Sequence, residues 1–161
     1  MKKLNGLTAI VVIGVGAILL GFSSCKNTTT KKTIKAEAPA YKISLAQWSI
    51  NKMIREDKVS PYEFASLASN WGFEGLEYVS QLYTDVTKSD DPEAAIKIFI
   101  QKNNELSAKF GLKNILIMVD EEGNLATQNE EERLTAIENH KKWINAAAAM
   151  GCHSIRINLF G

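Results

Sequence analysis

The chain has 161 residues, of which 45% are hydrophobic and 23% are charged. This length and this mixture fit about one globular domain, and they exclude collagen-like and wholly disordered proteins. The formal net charge is +1, from 19 basic against 18 acidic residues, so the chain lacks the broad basic surface of a nucleic-acid-binding protein. Its two cysteines and two histidines show no zinc-binding spacing.

The N-terminal segment resembles a bacterial lipoprotein signal. A basic start precedes an apolar run over residues 7–22, which is shorter than the roughly 20 residues of a membrane-spanning helix. The sequence FSSC, ending at Cys25, then resembles a lipobox, although leucine is commoner than phenylalanine at its first position. We predict a lipoprotein signal peptide over 1–25 and lipidation of Cys25, which would anchor the protein to a bacterial membrane outside the cytoplasm. An uncleaved signal anchor is the alternative.

Residues 26–40 are expected to form a flexible tether. They hold four lysines, four threonines and a proline, and they show no apolar periodicity. If Cys25 is lipidated, Cys152 is the one remaining thiol, so the mature chain has no internal disulfide.

From residue 41 onward, helix starts and stops recur at regular intervals. The starts are helix-capping residues, and the stops are glycines 39 and 40 residues apart. The starts are Ser60, Asp91 and Asn129, and the stops are Gly72, Gly111 and Gly151. This pattern predicts helices over 61–71, 92–110 and 130–150. In the third helix an apolar stripe is expected to lie on a sheet, and it consists of Leu134, Ile137, Ile144, Ala147 and Ala148.

Four apolar segments alternate with these helices and are predicted to be strands, over 42–48, 75–79, 114–119 and 154–160. The alternation of strand and helix indicates βαβ units and a parallel sheet, either an open doubly wound sheet or a (β/α) barrel. No GxGxxG follows the first strand, which weakens a dinucleotide site. Polar residues alternate with apolar ones in the fourth strand, as suits a barrel whose interior becomes a site near its top.

Three segments carry a family resemblance over about 41–161: SLAQWS at 44–49, WGFEGLEY at 71–78 and AMGCHSIRIN at 149–158. They resemble the sugar phosphate isomerase/epimerase family, which has a xylose isomerase-like TIM barrel. The resemblance implies an α/β fold of parallel βαβ units that form the first half of a TIM (β/α)8 barrel. It also implies a divalent metal (Mn, Mg or Zn) and proton transfer next to a carbonyl of a sugar or sugar phosphate.

The resemblance covers only part of a barrel. A complete barrel needs about 250 residues, whereas the segment after residue 40 has room for four strands without the last helix. In the family the metal ligands lie on later strands, so no residue here inherits a catalytic or metal-binding role, and the chain alone is expected to be inactive. The alternative is a non-catalytic lipoprotein that binds carbohydrate or self-associates through the open sheet edge.

Five residues near predicted strand ends are candidates for substrate binding. Glu77 lies toward the carboxyl end of the second strand, where barrel enzymes build their sites. Trp48 and Gln47 end the first strand, where an aromatic ring can stack on a sugar and an amide can donate to its hydroxyls. Arg156 and Asn158, on the polar face of the fourth strand, can contact phosphate or hydroxyl groups. Packing and ion-pair roles are the alternatives for all five.

Other polar residues are assigned structural roles. Asp120 and Glu121 are interpreted as part of a solvated acidic turn, because the segment lacks the calcium-loop spacing. His140 lies on a helix and is expected to be packed rather than catalytic. Cys152 and His153 fall at the opposite, stability-bearing end of the barrel. Gln81, with Tyr78 and Tyr83 nearby, belongs either to a substrate-facing loop or to helix packing.

Overall fold

The computed structural model of the protein describes residues 41–159. The predicted signal peptide, the predicted lipidation site Cys25 and the predicted tether lie outside the described residues, so these three predictions stay predictions. Between residues 41 and 159, no helix is both long enough and apolar enough to span a membrane.

Four strands alternate with helices along the chain. The strands are β1 (Ser44–Ala46), β2 (Gly75–Val79), β3 (Lys113–Val119) and β4 (Ser154–Ile157). The helices are α1 (Asn51–Arg55), α2 (Phe64–Asn70), α3 (Thr84–Thr87), α4 (Pro92–Lys109) and α5 (Glu130–Ala149), with 3-10 turns at Gln47–Ile50, Pro61–Glu63 and Ser80–Leu82. All four predicted strands and all three predicted helices are confirmed, with β1 and β4 shorter than predicted. The short helices after β1 and β2 were not predicted, because one or two turns show too little periodicity to be recognised.

The predicted helix caps are present. The Ser60 side chain accepts from the first turn of its helix, and Glu63 completes a capping box. The Asp91 and Asn129 side chains likewise accept backbone N–H groups at the starts of α4 and α5. The predicted stop glycines have left-handed backbone angles, with φ of 82° at Gly72, 68° at Gly111 and 72° at Gly151. Local capping chemistry therefore sets the helix ends.

The sheet has the order β1-β2-β3-β4, and all of its neighbouring strands are parallel. The helices α2, α4 and α5 contact the sheet and also one another in succession, so they form one layer on one face. A doubly wound sheet reverses its strand order and carries helices on both faces, whereas a barrel keeps sequential order with all helices outside. The fold is therefore α/β, made of parallel βαβ units in the arrangement of the first half of a TIM barrel.

Four aromatic rings form the centre of the core between sheet and helices. Phe99 of α4 makes edge-to-face contacts with Tyr78, Tyr83 and Trp143, at ring-centroid distances of 6.2, 4.6 and 5.3 Å. All four side chains are at most 1% exposed. Such pairs add to the burial of their large apolar area. This cluster joins β2, α4 and α5 into one core.

The prediction for the buried face of α5 was wrong. The buried residues of α5 are Ala136, His140, Trp143, Ala146 and Ala147. The predicted stripe is exposed at Leu134 (54%), Ile137 (38%) and Ile144 (47%), and of its members only Ala147 is buried. Trp143 offers more apolar area than an isoleucine, and the alanines beside it let the helix approach the sheet closely. The stripe counted large aliphatic residues and overlooked this tryptophan.

The aromatic cluster gives a direct test of the core. Replacing Phe99 by alanine removes a ring that contacts three others, so we expect the free energy of unfolding to fall by about 3–5 kcal/mol. The neighbouring Ile98 on the same helix is 47% exposed. Ile98→Ala should therefore change the free energy of unfolding by about 1 kcal/mol or less. Urea unfolding followed by circular dichroism measures both. Equal losses for the two variants would contradict this orientation of α4.

Candidate functional site

An open cleft of about 960 Å³ lies at the carboxyl ends of the strands. Its floor is apolar and comes from the first three strands, through Ala46, Val79 and Met118. These side chains lie on the sheet face opposite the helices, which the one-sided helix layer leaves open. Trp48, which follows β1, lines the cleft and is 43% exposed. The cleft thus combines an apolar floor with an accessible aromatic ring.

Asp120, directly after β3, is the hub of the polar wall of this cleft. Its carboxylate accepts a hydrogen bond from Arg156 at 3.2 Å and from Gln81 at 3.4 Å, and it also accepts from the Asn158 amide. Arg156 in turn donates to the Asn158 side-chain oxygen at 2.6 Å. The sequence predictions included Arg156 and Asn158, and the structure brings them together. Asp120 was interpreted as part of a solvated turn, which is wrong, because its side chain is only 14% exposed.

Ser80 fixes the position of Asp120. The Asp120 backbone N–H donates to the Ser80 hydroxyl at 3.0 Å, and that hydroxyl donates to the Asp120 backbone carbonyl at 3.2 Å. Ser80 is fully buried and follows directly after β2. The two hydrogen bonds therefore join the carboxyl ends of β2 and β3. The strand-end position of Asp120 is the sequence signal that could have identified it.

A second set of contacts links Trp48 to Asp120. The Arg55 guanidinium lies 4.8 Å from the centroid of the Trp48 ring and donates to the Gln81 side-chain oxygen at 2.5 Å. Because Gln81 also donates to Asp120, the chain of contacts runs across the cleft from β1 to β3. Gln81 therefore belongs to the site, in agreement with the loop interpretation of this residue, whereas Tyr78 and Tyr83 are buried in the core.

Gln47, although next to Trp48, does not face the cleft. It is fully buried, and its amide nitrogen donates to the Pro61 carbonyl at 3.1 Å and to the Tyr83 hydroxyl at 3.0 Å. Its oxygen accepts the Val79 backbone N–H at 3.0 Å. With these groups engaged inside the protein, Gln47 supports the end of β1, and no sugar can reach it without displacing core contacts.

Glu77 lies on the open face of the sheet, in register with Ala46 of the cleft floor but outside the cleft lining. It precedes Val79 by two positions on β2, which places it about 7 Å further from the carboxyl end. Its carboxylate accepts a hydrogen bond from Ser44 on β1. In a closed barrel this position points toward the interior, so Glu77 is a neighbour of the cleft rather than part of its lining.

The loop after Asp120 is held against α5 by a buried carboxylate. Glu122 is 8% exposed, accepts from the Trp143 indole N–H at 2.5 Å and pairs with Lys142 at 2.9 Å. Gly123 follows with φ of 103°, and a Cβ there would come within 2.9 Å of Ala136. The solvated-turn interpretation therefore holds for the exposed Glu121, whereas Asp120 before it and Glu122 after it are held by hydrogen bonds and are 14% and 8% exposed.

The described residues do not form a site for the divalent metal that the resemblance implies. Within residues 41–159, no three or more histidine, cysteine, aspartate or glutamate side chains come together as a metal site. Asp120 is surrounded by amide and guanidinium donors, which oppose a cation.

Two residues that were given structural roles lie outside the cleft. His140 is 5% exposed, and its Nδ1 lies 2.7 Å from the Ala136 carbonyl, so the packing interpretation is confirmed. Cys152 is half-buried in the turn before β4, at the amino end of the sheet, and burial raises the pKa of its thiol to about 11.

Comparisons with known proteins leave the family open. No family model matches the chain, and no curated protein matches it. Among solved structures, the chain is similar to the apo form of YcjR, a 3-keto-D-glucoside 4-epimerase from E. coli, with 19% identity and a TM-score of 0.45. The match covers 58% of this chain and 31% of that chain. A similarity this low carries no information about substrate or chemistry.

The position of Cys152 predicts low reactivity. The thiolate is the form that alkylates, and a pKa of about 11 in place of 9.0 lowers its amount at pH 8 by about 100-fold. In a Cys25→Ser background, iodoacetamide should therefore modify the folded chain about 100-fold more slowly than the urea-unfolded chain. The rate for the folded chain should keep rising up to about pH 11. Equal rates in the two states would contradict the burial of this thiol.

Proposed function

We propose that the chain is the substrate-binding half of a barrel enzyme that isomerises or epimerises a sugar or sugar phosphate by proton transfer next to a carbonyl. The observation that carries the proposal is the polar wall of Asp120, Arg156 and Asn158 in the same cleft as the exposed ring of Trp48. A sugar has an apolar C–H face and a rim of hydroxyls, so it needs an aromatic surface and clustered polar groups together.

Each residue of the cleft has a distinct role in this proposal. Trp48 stacks on the C–H face of the sugar, and the Arg55 guanidinium, 4.8 Å from the centroid of the Trp48 ring, helps to hold that ring in place. Asp120 accepts hydrogen bonds from sugar hydroxyls. Arg156, whose side chain is 45% exposed, donates to hydroxyl, carbonyl or phosphate oxygens. These residues bind and orient the substrate.

Proton transfer needs groups beyond these. The proposal assigns no general base among the described residues, and it places the Mn, Mg or Zn ion of the full-length enzyme on ligands from further strands. Such an ion would polarise the substrate carbonyl. The chain alone is accordingly proposed to bind substrate without turning it over.

A second candidate is a non-catalytic carbohydrate-binding protein. The contacts of Asp120 favour it, because three side chains already donate to this carboxylate and no metal cluster lies among residues 41–159. Such a site can bind hydroxyls without reacting with them. Both candidates require sugar binding, and they differ in whether any product forms.

Sugar binding is tested with matched pairs of variants. Saturation-transfer NMR with aldoses, ketoses and their phosphates should show binding, and Trp48→Ala should weaken it by about tenfold or more. Asp120→Asn should weaken binding similarly, because the substitution replaces a negatively charged hydrogen-bond acceptor by a neutral amide. The controls are Trp71→Ala, at a similarly exposed tryptophan (49% against 43% for Trp48), and Asp90→Asn, at an exposed aspartate, and neither residue lines the cleft. Binding that survives Trp48→Ala and Asp120→Asn, or no binding of any sugar, would overturn the proposal.

Turnover separates the two candidates. The full-length open reading frame is expressed, and each sugar that binds is incubated in D2O with Mn²⁺, Mg²⁺ or Zn²⁺. Deuterium incorporation next to the carbonyl supports the isomerase or epimerase, because an abstracted proton exchanges with D2O before a deuteron is returned to the substrate. Binding without deuterium incorporation supports the carbohydrate-binding protein.

We further propose that Cys25 carries a lipid and holds the domain outside the cytoplasm of a bacterial cell. The support is the sequence alone, in the basic start, the apolar run and the FSSC motif. Radiolabelled palmitate should enter the wild-type chain and a Cys152→Ser variant, whereas Cys25→Ser should abolish labelling and release the chain from the membrane fraction. Labelling that persists in Cys25→Ser would exclude Cys25 as the site.

A further inference from the structure

The end of the sheet opposite the cleft carries exposed aromatic and basic side chains, and we call it the amino-end surface. It lies where the chain leads into the strands. Its exposed residues are Tyr41, Lys42, Trp71, Lys109 and Lys113. Tyr41 is 83% exposed and Trp71 is 49% exposed. Tyrosine and tryptophan are enriched at membrane–water interfaces, and lysine is attracted to anionic headgroups.

Backbone hydrogen bonds bring the parts of this surface together. The Glu74 N–H donates to the Ile43 carbonyl at 2.9 Å, and the Lys113 N–H donates to the Glu74 carbonyl at 3.0 Å, so the starts of β1, β2 and β3 lie in one row. Lys109 ends α4 just before β3, with its ammonium 5.3 Å from the centroid of the Phe110 ring. In a barrel this end lies opposite the active site, so further βα units extend the amino-end surface and do not cover it.

The two ends of the sheet differ in charge. We compare the connections between the strands and α2, α4 or α5, with one flanking residue on each side. Those at the amino end, with the segment before β1, hold three basic and one acidic residue, a net charge of +2. Those at the carboxyl end hold four basic and ten acidic residues, a net charge of −6. An anionic surface therefore attracts the amino end and repels the end that carries the cleft.

Two lysines account for the excess positive charge at the amino end. Lys42 pairs with Glu74 at 3.4 Å, so these two charges offset each other. Lys109 and Lys113 remain, and both are exposed. They lie on either side of the same connection, between α4 and β3. The amino-end surface thus presents a pair of lysines beside two exposed aromatic rings.

The chain enters this surface from the predicted lipid anchor. Tyr41 follows the predicted tether over residues 26–40, which contains four lysines and one glutamate. A chain of this length spans at most about 50 Å, and about 20 Å on average as a flexible coil. A lipid on Cys25 would therefore keep Tyr41 within reach of the bilayer surface.

We propose that the amino-end surface docks on the anionic surface of the membrane that holds the lipid, so that the cleft faces away from the membrane. Tyr41 and Trp71 enter the interface at the level of the headgroups. Lys109 and Lys113 lie against anionic headgroups, and the acidic carboxyl end is repelled, which sets the orientation. The proposal rests on the proposed lipidation of Cys25, and it is independent of the sugar proposal.

Two tryptophans report the orientation, because the exposed Trp48 and Trp71 lie at opposite ends of the sheet. The third, Trp143, is 0% exposed. The lipidated chain is reconstituted into vesicles of phosphatidylethanolamine and phosphatidylglycerol that contain brominated lipid, which quenches tryptophan fluorescence in the bilayer. We expect quenching in the wild type and in Trp48→Phe, and its loss in Trp71→Phe. An unquenched wild type, or quenching that persists in Trp71→Phe, would overturn the proposal.

Charge reversal tests the two lysines. Each lysine near an anionic membrane contributes about a fivefold factor to binding. The double variant Lys109→Glu/Lys113→Glu should therefore lower the docking equilibrium constant, measured from the quenched fraction of Trp71, by at least about 20-fold. The matched control is Lys88→Glu, at an exposed lysine of the carboxyl end, which should leave the quenching unchanged. Wild-type quenching of equal strength in phosphatidylcholine vesicles, or in the double variant, would overturn the role of the lysines.

The failure of this proposal is distinguishable from the failure of the two on which the function depends. Absence of palmitate label would overturn the lipidation of Cys25 and this docking together. A labelled chain that floats with the vesicles while Trp71 stays unquenched would overturn the docking alone. Circular dichroism on every variant checks that the fold is intact, and sugar binding is read separately by NMR.

Discussion

The rest of the structure depends on one constraint, which is that the connections between successive parallel strands all pass over the same face of the sheet. Each strand pairs in parallel with the one before it, and the helices α2, α4 and α5 pack as one layer on one face. That layer buries the aromatic cluster around Phe99. Within residues 41–159 the other face carries no helix, and the cleft lies on that face at the strand ends. The apolar core and the polar site are thus two sides of a single sheet.

The cleft is organised by residues that it does not expose. Buried Ser80 ties the ends of β2 and β3 together, and buried Gln47 ties the end of β1 to β2 through Val79. These bonds hold Asp120 and Trp48 at fixed positions across the sheet. The buried carboxylate of Glu122 holds the following loop on α5. A site on rigid strand ends with such support needs little rearrangement to bind a ligand.

The sequence was sufficient to predict the helices and strands. It was less informative about the surroundings of individual side chains. Capping residues such as Asp91 act locally, so helix starts could be predicted within a residue. Which face of α5 is buried depends on the fit of Trp143 against Phe99, which no local pattern records. Trp48, Arg156 and Asn158 were chosen for their positions near strand ends, and the structure places all three in the lining of one cleft. Asp120 has the same strand-end signal, but the acidic residues after it led to its interpretation as part of a solvated turn, and its partners Gln81 and Arg156 lie far away along the chain.

The position of β4 links the fold to the proposed function. Among residues 41–159, β4 pairs with β3 alone. Arg156 of β4 and Asn158, which directly follows it, both line the cleft. In the proposed barrel enzyme the next strand pairs in parallel with β4, so its strand-end side chains lie beside Arg156. The proposal places the metal ligands among those side chains, so the described residues account for substrate binding and the further strands for proton transfer.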